Sequence, residues 1–268
     1  MVLGPGCTDQ STVVFADANL ESLVRRTINR PTGALTEQDV IGITSLDGRA
    51  MEISCLEGIE ALVRLRSLRL DNNRIIDISP LAGLSRLETL TLRGNQIGDL
   101  TPLAQLTLLQ DLDLRDNAII DASPLATLTN LAELNLRGNE IQDITCLSKL
   151  TNLKKLNLRE NEISDISVLA GLAWLEDVNL RHNQIKDVSP LKDLTRLTAR
   201  LYLDGNPVSN FRPLRYVLEN VADIDITFAM GDPDFSVMGG FYDKPFKLKL
   251  STYRPQGVIW YTLDGSEP

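Results

Sequence analysis

Apolar residues return along this chain at a step that neither a helix nor an isolated strand produces: Leu65, Leu87, Leu109, Leu131, Leu153, Leu175 and Leu197 stand at intervals of 22. One interval places Leu65, Leu68, Leu70, Ile75, Ile78, Leu81 and Leu84 around a fixed Asn73, and the next repeats the order from Leu87 through Asn95 to Leu106. The opening L-x-x-L-x-L alternates inward and outward, which predicts a short strand. The Asp-x-Ser/Thr-Pro that follows predicts a turn or a brief 3₁₀ segment, its acid or hydroxyl capping free amides. A worn copy precedes these units through Ile43, Leu46, Ile53, Leu56, Ile59 and Leu62, with Met51 in the asparagine position, and the last copy slips by one residue to Leu201, Leu203 and Asn206.

The ends read differently. Leu20, Leu23, Val24 and Ile28 lie at helical spacing after Asp17 and Asn19, either of which can cap a helix, and "LTEQDV" predicts a second short helix. "FRPLRYVLENV" predicts a short helix closing the far end. The pattern L-x-x-L-x-L-x-x-N-x-I is that of the leucine-rich repeat. Each unit offers about seven apolar side chains, worth roughly 1.5–3 kcal/mol apiece when buried. It must order its backbone at about 1–2 kcal/mol per residue, so one unit cannot fold alone and stacked units share a column. The expected fold is therefore α/β: a solenoid with a parallel concave β-sheet, a convex side of 3₁₀ and turn segments, a helical N-terminal cap and a partial all-β C-terminal module. Asn73, Asn95, Asn117, Asn139, Asn161, Asn183 and Asn206 are expected to form an inner ladder that satisfies turn backbone groups. The column Asp77, Asp99, Asp121, Asp143, Asp165 and Asp187 invites a calcium site. Each coil supplies one such carboxylate, however, whereas calcium needs several converging oxygens, so capping is the expected role and no metal or cofactor is expected.

Charge narrows the function. Lys and Arg number 27 against 36 Asp and Glu, a net charge of −9, which argues against a nucleic-acid partner. No run reaches the ~20 apolar residues of a membrane span. A single histidine, His182, sits where other copies carry Gly94, Asp116, Gly138 and Glu160, a weak place for a general base, so no enzyme activity is expected of this chain. Cys55 and Cys146 lie about four coils apart, beyond disulfide reach at roughly 4.8 Å per coil, and both read as buried thiols. Leu3, Gly4, Pro5, Gly6 and Cys7 followed by a polar stretch resemble the end of a bacterial lipoprotein signal, in which the cysteine receives lipid. Pro5 and the missing hydrophobic region depart from that pattern, and a plain leader is the alternative.

The opening F-x-D-x-N-L-E-x-x-V-R, carried by Phe15, Asp17, Asn19, Leu20, Glu21, Val24 and Arg25, together with the helical cap and the repeat length, resembles the bacterial internalin-like leucine-rich repeat proteins over about residues 12 to 220. Eukaryotic phosphatase-regulating repeat proteins share the unit, but the cap favours the bacterial group. The resemblance implies a secreted or surface-bound, non-catalytic module that binds another protein on its concave sheet. Beyond residue 228, "GGFYDKPF" and "YTLDGSEP" resemble the β-sandwich module at the C-terminus of chitobiase and hexosaminidase enzymes; alternating Phe246, Leu248 and Leu250 and then 258–263 predict strands. Two or three strands are marginal alone, so the natural polypeptide is expected to continue past Pro268. The domain reading is a flexible leader over 1–11, a helical cap over 12–42, about eight repeats over 43–220, and a C-terminal cap with the partial sandwich over 221–268. A monomer is expected. The competing function is the targeting region of a larger cell-surface enzyme that acts on carbohydrate.

Candidate contacts follow from the alternation, which turns the residues between core leucines outward. One outward column holds Asp111, Glu133, Lys155 and Asp177. The next holds Arg69, Thr91, Asp113, Asn135, Asn157, Asn179 and Tyr202, and the third runs Asp71, Arg93, Arg115, Arg137, Arg159, Arg181 and Asp204. Neighbouring arginines about 4.8 Å apart repel by about 1 kcal/mol in water, so a bare ladder is unfavourable. Two readings stand. Either the guanidinium groups bridge nearby acids such as Asp111, Asp113, Asp116, Glu133, Glu140, Glu160, Glu162 and Asp177, or they meet a ligand. With Tyr202 the one aromatic on this face, a charge-mixed protein partner fits better than a neutral glycan. The candidate binding set is Arg69, Arg93, Arg115, Arg137, Arg159, Arg181, Asp111, Asp113, Glu133, Asp177 and Tyr202.

Overall fold

The computed structural model describes residues 11–226 and two short strands further on, Asp234–Phe235 and Leu250–Ser251. The chain divides into two units, Met1–Ile226 and Thr227–Pro268. In the first, β1 (Thr12–Val13) pairs antiparallel with β2 (Leu35–Thr36) around α1 (Ala18–Thr27), and α2 (Glu37–Val40) follows at once. Then come β3 (Ser45–Asp47), β4 (Ser67–Arg69), β5 (Thr89–Thr91), β6 (Asp111–Asp113), β7 (Glu133–Asn135), β8 (Lys155–Asn157), β9 (Asp177–Asn179) and β10 (Arg200–Tyr202). α3 (Arg215–Leu218) and β11 (Asp223–Ile224) close the unit. Strands β3 to β11 form one nine-stranded sheet in sequence order, with each neighbouring pair parallel. In the second unit β12 (Asp234–Phe235) pairs antiparallel with β13 (Leu250–Ser251). Apart from Asp234, Phe235, Leu250 and Ser251, the residues expected to form the sandwich module lie outside the described residues, as does Cys7.

The register keeps each repeat's outward columns aligned: Leu68 faces Leu90, then Leu112, Leu134, Leu156, Val178 and Leu201, so the residues on either side stack into continuous rows. On the inner side Leu65, Leu68, Leu70, Ile75, Ile78, Leu81 and Leu84 are all buried, and the later units repeat this. The 3₁₀ segments opposite the sheet begin just after the aspartate column. Asp77, Asp99, Asp121, Asp143, Asp165 and Asp187 each accept the N–H of the Ser or Thr two residues on at 2.8 Å. These acids cap turns, as the spacing suggested.

The inner ladder is uniform. Asn139 accepts the Ile119 N–H at 3.1 Å and donates to Leu114 O and Leu136 O at 3.1 and 2.9 Å, one carbonyl from the previous coil and one from its own. Asn73, Asn95, Asn117, Asn161, Asn183 and Asn206 make the same set with their own coils. At the N-terminal end Asp17, and not Asn19, caps α1. One carboxylate oxygen accepts from the Asn19 and Leu20 N–H groups, and the other from Ser54 N and Cys55 N on the first coil.

Three expectations need adjusting. The sheet runs one strand beyond the eight units counted, because β11 in the closing segment adds to β10 through Arg200↔Asp223 and Leu201↔Ile224 with no leucine motif of its own. Cys55 and Cys146 are free but half-buried, not buried. Burial nonetheless raises the Cys146 thiol to about 11, helped by Asp143 and Asp121. Glu140 and Glu162, counted among acids near the arginines, make no ion pair among the described residues; Glu162 accepts from Gln142 instead at 2.7 Å.

Candidate functional site

The outward face of β3 to β11 brings the candidate residues onto one surface, and it separates them by what they already touch. The ladder arginines are held. Arg93 Nε donates to Asp116 at 3.1 Å. Arg115 turns back on Asp113 with both Nε and Nη2, at 2.9 and 2.5 Å. Arg137 Nε reaches Glu160 at 3.0 Å, and Arg159 binds the other oxygen of the same Glu160 through Nε and Nη2, at 3.0 and 2.7 Å. Arg181 Nε meets Asp225 at 2.6 Å. Burial works to raise the Glu160 carboxyl, but the hydrogen bonds and charges of Arg137 and Arg159 outweigh it and leave it below its ordinary range.

A rule of supply lies behind these pairings. The residue after each ladder position, Asn72, Gly94, Asp116, Gly138, Glu160, His182 and Gly205, is left-handed in every coil, with φ between 53° and 74°. Where the following coil has an acid there, the arginine reaches forward to it: Arg93 to Asp116, Arg137 to Glu160. Where it has glycine or histidine, another carboxylate must serve. Gly138 also has a packing reason, since a Cβ there would come within 2.7 Å of the Asp116 carboxylate that lies over it. Arg115, facing that glycine, uses the aspartate two residues back. Arg49 uses Asp47 in the same way, extending the ladder into the worn first copy.

The middle column decides whether folding back is available. Asp113 can pair its arginine; Asn135, Asn157 and Asn179 are neutral, and their amide oxygens accept only the backbone N–H of Arg137, Arg159 and Arg181, at 3.3, 3.1 and 3.2 Å. Tyr202 ends the column. The Arg181 guanidinium lies 3.7 Å from its ring centroid and Arg200 5.3 Å, while its hydroxyl donates to Asp223. That hydrogen bond raises the phenol above its usual range, with desolvation and the Asp223 charge adding to it. Asp225 accepts the Leu203 and Asp204 N–H groups at 2.7 and 3.0 Å, so the far end of the face is tied to β11.

In the remaining column Lys155 pairs with Glu133 at 2.7 Å and Arg200 with Asp177 through two bonds at 2.9 and 2.7 Å. The Asp111 side chain makes no hydrogen bond or ion pair among the described residues, though its backbone N–H donates to Glu88 O at 3.2 Å. Desolvation first, then the charges of Glu133 and Asp113, raise the Asp111 carboxyl above the ordinary range against the opposing charges of Arg69 and Lys155. Arg69 is exposed and likewise makes no ion pair there. Sequence reasoning missed Arg49, Arg200, Asp225 and the role of the turn column. The alternation Gly94, Asp116, Gly138, Glu160 was the visible signal for the last. Among the described residues no group of His, Cys, Asp and Glu could hold a metal ion, and no helix is long and apolar enough to cross a membrane.

A parallel ladder of strands backed by 3₁₀ turns and an asparagine column defines a leucine-rich repeat protein. Models of the family match accordingly: the two-copy leucine-rich repeat at 63–105, 107–149 and 129–171, and a single leucine-rich repeat at 171–189. Among solved structures, an internalin (inlF) from Listeria monocytogenes is 31% identical with a TM-score of 0.68, covering 82% of this chain and 72% of its own. Internalin C2 from the same organism is 33% identical with a TM-score of 0.77, covering 83% of this chain and 100% of its own. A leucine-rich repeat protein of Leptospira interrogans, 24% identical with a TM-score of 0.51, covers 65% of this chain and 57% of its own, and it shares the fold. No curated protein matches the sequence. The chain belongs to the bacterial internalin-like leucine-rich repeat proteins. Proteins of this kind are protein-binding and adhesion modules, and their fold is typically non-catalytic.

Proposed function

We propose that this chain is the recognition region of a bacterial extracellular or cell-surface protein and that it holds a second protein against the outward face of β3 to β11. One observation carries the reading. The core and the asparagine ladder are complete without the outward columns, and on that face Arg69 and Asp111 make no direct ion pair among the described residues and meet each other's charge only at longer range. Charged groups left unpaired on a rigid surface suit a partner that supplies the complement. Asp113, Glu133, Asp177, Tyr202 and the ladder from Arg93 to Arg181 frame them as the rest of the contact surface. The same proposal includes the lipid anchor at Cys7 and the chitobiase-like module after residue 228.

Purified protein added to cells that display the partner tests the face. Reversing both charges, Arg69→Glu with Asp111→Lys, is expected to weaken adhesion at least about tenfold, whereas Gln142→Lys, outside the sheet, leaves it unchanged. Adhesion that survives the double change but fails with Gln142→Lys would move the interface off the sheet. Incorporation of labelled palmitate that disappears in Cys7→Ser tests the anchor.

A further inference from the structure

The sheet face is not uniform along its length. At β6 the middle column is an aspartate that serves its own arginine, but at β7, β8 and β9 it is Asn135, Asn157 and Asn179. Their oxygens are fixed by the backbone N–H groups two residues on, which also fixes which end of each amide is the NH2. Those NH2 groups have no acceptor among the described residues. Asn179 is only 7% exposed, and its oxygen is turned to the Arg181 N–H. Beside the column, Arg137 and Arg159 share the single carboxylate of Glu160, whereas Arg93, Arg115 and Arg181 each have their own. Arg137 uses only Nε on it, and its terminal nitrogens have no acceptor among the described residues. On the other side of the column Lys155 is already matched by Glu133.

Donors therefore outnumber acceptors here, and Arg137 and Arg159 bring two charges to the one of Glu160. The geometry points to a binding subsite over β7 to β9 for a single carboxylate side chain, glutamate or aspartate, of the protein partner. Two amides about 4.8 Å apart on adjacent strands can each donate to one oxygen of a carboxylate, with a guanidinium edge closing the third side. A polyanion such as a sulfated glycan fits worse. The patch is bordered by Asp111, Asp113, Glu133, Glu160 and Asp177, which would repel every charge after the first in a chain whose net charge is −9. The subsite rests on the sheet-face reading given above and specifies its chemistry.

Titration of the full chain, labelled with nitrogen-15, with the acetylated and amidated peptide Gly-Ser-Glu-Ser-Gly tests it. The side-chain NH2 signals of Asn135, Asn157 and Asn179 should shift. The matching glutamine peptide should bind about tenfold more weakly or worse. Asn157→Asp should cost a similar factor without changing Tm, since Asp47 and Asp113 show that the fold accepts aspartate in this column. Equal binding of the two peptides, tighter binding of a sulfated disaccharide, or no shift at all overturns the subsite. Shifts confined to Thr89, Thr91 and Arg69 overturn it while leaving the sheet-face reading intact. A peptide footprint entirely outside β3 to β11 removes both.

Discussion

Two ladders run through this molecule at a 22-residue step, lengthened by one only before Asn206, and they behave differently. Every asparagine from Asn73 to Asn206 has the same partners: an N–H of the preceding coil and two carbonyls. The arginines have four kinds of arrangement in five coils: forward to the next coil at Asp116, back to Asp113, a shared Glu160, and the closing segment's Asp225. A repeating side chain has a repeating role only if its partners repeat too. Backbone groups do so by construction. Side-chain acids do not, so the same arginine is scaffold in one coil and under-supplied in another.

The largest effect should come from the uniform ladder. Asn139→Ala strands the Ile119 N–H in a dry interior, at about 1–3 kcal/mol for a group that water cannot reach, and takes one of two donors from each of the Leu114 and Leu136 carbonyls, which keep Asn117 and Asn161. A loss of about 3 kcal/mol is expected, read from urea unfolding with the slope checked for a single transition. A loss below about 1 kcal/mol would erase the distinction between the ladders.

Asp17 sharpens the comparison, because it is a charged residue whose partners are backbone groups. Burial would raise its carboxyl, but the N–H groups of Ser54, Leu20, Asn19 and Cys55 outweigh that and hold it below 3.8. The folded value lies under the unfolded one. Its contribution is thus present above about pH 4 and is lost as pH falls through the folded value. Asp17→Ala should cost about 2 kcal/mol at neutral pH by undoing the helix cap and the tie to the first coil. The gap to the native protein should narrow as the pH is lowered below about 4. A gap that widens in acid would reverse the sign of this argument.

The sequence carried the asparagines fully, because a polar residue inside a strict apolar period can only be serving the backbone, and the backbone is the same in every coil. It also carried both ends of the solenoid as helical segments, though not the choice of Asp17 over Asn19, which depends on Ser54 and Cys55 folding next to it. The arginines were legible as a column and undecidable as a role. Whether Arg115 folds back depends on Asp113 being charged and Gly138 being bare, a conjunction spread over two coils. β11 was invisible for a related reason: Asp223 and Ile224 join the sheet by backbone pairing and by the reach of Asp225, with no motif leucine.

The smallest effect belongs to Glu160, and it bears most directly on whether the arginines are scaffold. Glu160→Gln keeps the shape and the left-handed backbone (φ 58°) but removes the one charge that Arg137 and Arg159 share. Its side chain is 36% exposed, so the pairs are screened, and such contacts contribute about 0.5 kcal/mol, rarely above 1. The expected loss in urea is of that size at low salt and should vanish near 1 M salt, where the screening length falls to about 3 Å. Asn139→Ala should be nearly as costly at high salt as at low, since no charge is involved. If Glu160→Gln instead matched it and ignored salt, the arginines would be as structural as the asparagines. Arg137 would then belong to the scaffold, and the subsite over β7 to β9 would keep only its amide donors.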